Sequence, residues 1–108
     1  MLKKHIASTL AIALMATAGA TAHAAAYPEK PVTMIVGFSP GGFTDVVARL
    51  VSRHLEQKLG QTFVVENKPG AAGTIAANMV AKAAPDGYTL LMGHSNSNAT
   101  APALYKDL

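Results

Sequence analysis

The 108-residue chain contains no cysteine. That excludes disulfides, thiol chemistry and a lipid anchor attached through a cysteine at an export cleavage point. An aromatic-rich basic stripe is also missing, and the formal charge of +3 is misleading. Lys3 and Lys4 supply two of the basic residues, and beyond position 24 there are 7 basic against 6 acidic residues. So balanced a chain carries no electrostatic footprint for nucleic acid. The chain also lacks a long hydrophobic run. The apolar stretch over residues 6–20 falls short of the ~20 residues that a membrane span needs.

That stretch is built for another purpose. Lys3 and Lys4 precede it, and Ala22-His23-Ala24 places small residues at both positions of a cleavage site. This is the layout of a secretory signal peptide. Residues 1–24 are expected to be the signal, leaving residues 25–108 as a soluble periplasmic domain. Its 84 residues suffice for one small core, near the size at which burial is marginal.

Val32-Thr33-Met34-Ile35-Val36 reads as a strand buried on both faces. A helix is expected over residues 45–59, with Val47, Leu50, Val51, Leu55 and Leu59 on one apolar face. Thr44 or Asp45 would cap its start and Gly60 would close its end. A second strand is expected over 62–66, followed by a glycine-rich turn over 67–73. A second helix is expected over 74–84, with Ile75, Met79, Val80 and Ala83 available for burial. A third strand is expected over 88–92, a polar loop over 94–98, and another helix starting near Ala99. The order β-α-β-α-β predicts an α/β fold: a parallel sheet of strand order 2-1-3 with helices on its faces. The loops after strands one and three should then be neighbours at one sheet edge, at the switch point where ligands bind.

Three chemistries compete for residues 37–45. Gly37, four residues, then Gly42-Phe43-Thr44 approaches a phosphate loop, but Phe43 stands where the lysine belongs. Gly37-Phe38-Ser39-Pro40-Gly41 matches a hydrolase nucleophile elbow, with Asp86 and His94 following in chain order. Pro40 opposes that reading, because the oxyanion hole uses the N–H of the residue after the serine and proline has none. Losing one such donor costs roughly 3–4 kcal/mol of transition-state stabilisation. The third chemistry is passive binding of a small anion by Ser39, Thr44 and the N–H groups of residues 41–45, aided by the helix dipole. It needs no cofactor, metal or catalytic group. The polar run His94-Ser95-Asn96-Ser97-Asn98 at the same edge favours it, since such side chains suit carboxylate or amide oxygens. A plain strand-to-helix turn is the competing structural reading. His54, within the first helix, reads as a solvated or packed side chain.

Five segments in register resemble one family: Tyr27-Pro28 with Lys30-Pro31; Pro40-Gly41-Gly42 with Thr44-Asp45 and Ala48-Arg49; Leu59-Gly60-Gln61; residues 64–73; and residues 81–91 around Pro85-Asp86-Gly87-Tyr88. They are similar to the Bug-type substrate-binding proteins of tripartite tricarboxylate transporters. The resemblance implies a periplasmic binding protein of type II, whose two α/β lobes close on a small carboxylate without chemistry. It places the ligand-binding residues at Phe38, Ser39, Gly41, Gly42, Thr44 and Asp45 and at His94, Ser95, Asn96 and Ser97. The loop over 70–74 is a lesser candidate. The ligand would be a di- or tricarboxylate, an amino acid or an aromatic acid. Large and small integral membrane permease subunits would be the partners. Family members are about three times longer, so this chain is expected to be part of the first lobe, without hinge or second lobe. Phe43 departs from the family pattern. The alternatives are an exported serine hydrolase using Ser39 and a truncated remnant that binds nothing.

Overall fold

The computed structural model describes residues 24–104; the expected signal peptide lies almost wholly outside them. Strand β1 (Val32–Val36) leads to helix α1 (Phe43–Leu59), strand β2 (Phe63–Asn67) and a 3₁₀ turn (Ala71–Gly73). Helix α2 (Thr74–Ala81), strand β3 (Thr89–Met92), a π-helical turn (Asn96–Thr100) and the short helix α3 (Ala101–Leu104) follow. The three strands are parallel, in the order β2-β1-β3. The register aligns Val36 with Asn67 on one side and with Met92 on the other, so all three strands end side by side.

The central strand carries the core. Val32 and Val36 are fully buried, and Met34 and Ile35 nearly so. Burying one such side chain is worth about 2 kcal/mol. Met34 and Val36 pack with Ala48 of α1, and Phe38, Leu55, Val65, Leu90 and Met92 close around them. Side-chain alternation puts Ile35 on the other face. The crossover from β1 to β2 and the one from β2 back past β1 to β3 run in opposite directions, so that right-handed connections put α1 and α2 on opposite faces.

Helix α1 buries a different face from the expected one. Thr44, Asp45, Ala48 and Ser52 are its buried residues, and Ala48 packs with Met34 and Val36 of β1. Leu50 is 65% exposed, Val51 and Leu59 are exposed, and only Val47 and Leu55 are half-buried. Small side chains let the helix axis approach the strands closely, whereas a row of leucines would hold it off. The start also differs: Gly42 takes the extended cap position with no side-chain cap, and Asp45 lies in the first turn. Gly60 closes the helix as expected, its N–H donating to Glu56 O at 2.9 Å. In α2 the buried residues are Thr74 and Ala76, while Ile75 and Met79 are exposed. The expected polar loop after β3 is wound into helix from Ser95 onward.

At the opposite end of the sheet, the entering chain is tied down by tyrosines. The Tyr27 hydroxyl donates to Gly87 O, and the Tyr88 hydroxyl accepts from Glu29 N–H. Their rings lie 5.2 Å apart, with the Lys30 ammonium over Tyr88.

Candidate functional site

Because the strands end in register, the segments after β1, β2 and β3 meet at one edge. The closest approach is backbone against backbone. A Cβ on Gly37 would lie 2.9 Å from Gly73 Cα, so neither chain could come so near with a side chain between them. Gly73 has φ +90° and sits between the Phe38 ring and Ser97; a Cβ there would lie 3.1 Å from each. Only glycine meets both demands. The turn over 70–74, expected to be the lesser candidate, is therefore the pivot on which the other two segments rest.

The first turn is organised by a carboxylate. Asp45 is 3% exposed. Its Oδ2 accepts from Gly41 N–H at 2.9 Å and from Arg49 Nε at 3.0 Å, and its Oδ1 accepts from Asn67 Nδ2 at 2.9 Å. The Arg49 guanidinium, the Gly41 N–H and the Asn67 amide hold its carboxyl below the usual range, at about 2. Gly42 N–H returns to Ser39 O at 3.3 Å. Of the N–H donors expected to meet an anion, those of Gly41 and Gly42 are thus committed internally. Those of Phe43 and Thr44, in the first helical turn, find no acceptor among the described residues. They carry the positive end of α1.

The segment after β3 is held by its own short-range bonds. Asn98 Oδ1 accepts from His94 N–H at 3.2 Å, and the Ser97 hydroxyl lies 2.6 Å from the same oxygen. Asn96 N–H donates to His94 Nδ1 at 3.1 Å, so the neutral ring keeps its proton on Nε2. The His94 ring packs on Phe38 with centroids 4.6 Å apart, joining the first turn to the third.

The ten residues expected at the site divide by position. Ser39, Gly41, Gly42, Ser95 and Asn96 form an exposed rim. Phe38 and His94 are half-buried partners in the ring contact. Thr44, Asp45 and Ser97 are buried beneath the rim. Phe43 is 84% exposed beside it. Two contributors, Asn67 and Gly73, were not among the ten. The sequence signal for Gly73 is its spacing from Gly70 in the turn after a strand. The signal for Asn67 is its place in the family-like segment over 64–73, at the start of the glycine-rich turn, which marks the position without giving it a role.

The hydrolase constellation does not assemble. Asp86 lies before β3, at the opposite edge of the sheet from Ser39, and its Oδ1 accepts from Tyr88 N–H. No hydrogen bond among the described residues joins Ser39 to His94.

Known proteins are similar to this chain in sequence and in fold. The family described as tripartite tricarboxylate transporter family receptor matches residues 47–108. Protein BugT of Bordetella pertussis is 51% identical over 85 residues, 77% of this chain and 26% of that protein. Among solved structures, MatC from Rhodopseudomonas palustris with bound malate is 48% identical, with a TM-score of 0.72 over 76% of this chain and 28% of that one. A second R. palustris protein, solved with adipate, is 44% identical, with a TM-score of 0.64 over 65% of this chain and 23% of its own. The periplasmic binding protein BugD is 55% identical, with a TM-score of 0.59 over 60% of this chain and 22% of its own. The chain thus spans about a quarter of the length of the relatives it matches. The family match over more than half of the chain, with which the likeness to the solved periplasmic binding protein agrees, establishes that this chain belongs to the tripartite tricarboxylate transporter receptor family.

Proposed function

We propose that this chain supplies one carboxylate-gripping edge of an exported, periplasmic solute receptor. Such a receptor delivers its ligand to integral membrane permease subunits and does no chemistry on it. The observation that carries this reading is the meeting of three turns at one edge, where the first-turn N–H groups of Phe43 and Thr44 remain open while the nearby Asp45 carboxylate is fully engaged. An uncommitted carboxylate there would repel an anion; this one is neutralised by Arg49. A small dicarboxylate is the ligand class favoured by relatives solved with malate and adipate.

Magnitudes limit what this edge does alone. A helix N-terminus gives an anion about 0.3–1 kcal/mol, rising to about 2 when partly buried, whereas micromolar binding needs about 8 kcal/mol. The described residues are therefore expected to bind malate no better than millimolar. Nuclear magnetic resonance titration of the isotope-labelled chain tests this. Malate should shift the amides of Phe43, Thr44 and the 94–96 segment in fast exchange. No shift at that edge would overturn the reading, and micromolar affinity would overturn the magnitude.

A further inference from the structure

Asn67 stands outside the expected site, yet its side chain ties that site together. An asparagine amide offers two donors and two acceptor positions. Here Nδ2 donates to Phe38 O at 3.0 Å and to Asp45 Oδ1 at 2.9 Å, while Oδ1 accepts from Arg49 Nη2 at 3.2 Å. The partners belong to the turn after β1 and to α1; Asn67 itself ends β2. The turn over residues 38–41 is thereby fixed at both ends. Its carbonyl end is held by Asn67 directly, and its amide end is held by Asp45, which Asn67 holds in turn. The placement of Phe38 carries on to His94 through their ring contact.

We propose that Asn67 is a positioning residue of the anion edge, fixing the 38–41 turn against α1 and so setting affinity for a carboxylate that it does not touch. This rests on the reading that the edge takes a carboxylate. The chemistry of the position is narrow. Asp45 and Arg49 already pair at 3.0 Å, so the bridging group should add no charge. It must give two N–H donors and accept one. Alanine leaves Phe38 O and Asp45 Oδ1 without their donor. An ionised aspartate offers no donor and sets a second carboxylate against Asp45.

Amide spectra of the full chain, with malate as the probe, decide the matter. In the unmodified protein malate shifts Phe43 and Thr44. In Asn67→Ala the β1 amides should stay dispersed, the Phe38–His94 ring contact should weaken, and malate affinity should fall about tenfold, the scale of one lost hydrogen bond to a charged group. Asn67→Asp should lose the ring contact at neutral pH and regain part of it on acidification, once the new carboxyl is protonated and can donate. Unchanged malate affinity and an intact ring contact in Asn67→Ala would overturn the proposal. Should that variant fail to fold, absence of acid recovery in Asn67→Asp overturns it instead. Absence of malate shifts in the unmodified protein would overturn the carboxylate reading, while the ring contact across the variants would still test the positioning.

Discussion

The turn after β1 and the segment after β3 meet at the same edge but are held in opposite ways. The first is fixed across the fold: its bonds run from Asp45 to Asn67 and from Asn67 to Phe38, 22 and 29 residues apart in sequence. The second is fixed within itself, by bonds among residues 94–98 that never span more than four positions. A segment with local bonds keeps its shape wherever its strand places it. A turn with distant partners takes its shape only once β2 and α1 are docked. The first turn therefore reports tertiary structure, and the second reports local helical winding.

Four perturbations separate these two behaviours. The largest effect is expected from Gly73→Val, which inserts a side chain between the Phe38 ring and Ser97 at a φ that valine resists. A loss of about 3 kcal/mol, read from the urea midpoint, should accompany collapse of both segments. Next comes acid. A carboxyl whose pKa is lower folded than unfolded stabilises fully above the unfolded value and stops doing so as the pH falls to the folded one. For Asp45 that window runs from 3.8 down to about 2. Over it, amide exchange at Gly41 should accelerate while the Asn98 amide in the segment after β3, which donates to the backbone carbonyl of His94, keeps its protection. Equal acceleration in both would break the contrast. Asn98→Ala should cost about 1 kcal/mol and disturb amides only within the second segment; spread into residues 38–42 would show that the two are coupled. The smallest effect belongs to Ser95→Ala at the exposed rim. Its unfolding midpoint should correspond to a change within about 0.5 kcal/mol, so any shift in malate titration reflects ligand contact alone.

The sequence was most legible where one property decided the outcome. The β-branched run at Val32–Val36, the alternation of strands with helices and the glycine turns gave the parallel sheet and its 2-1-3 order. The meeting of the first and third turns followed from that order. Less was legible where packing chose between faces. On α1 the leucines and valines form the more hydrophobic face, but Thr44, Ala48 and Ser52 are buried instead, because close approach rewards small side chains. Periodicity finds an apolar stripe without saying what that stripe meets. Donor assignment was hidden for a related reason. Gly41 N–H was expected to face a ligand and instead meets Asp45, because a side chain one helical turn away competes for it. Asn67 was invisible as a bridge, since its three partners become neighbours only when β2 lies beside β1.

The contact of Gly37 with Gly73 separates where the edge is from what it recognises. Two backbones touching directly leave no side chain whose size could retune their spacing. Variation is thereby channelled outward, to Ser39, Phe43, Ser95 and Asn96, all exposed on the rim. Descendants of one gene could exchange those four residues, and, under the proposed function, the acid that is taken, while the three turns keep the same mutual placement.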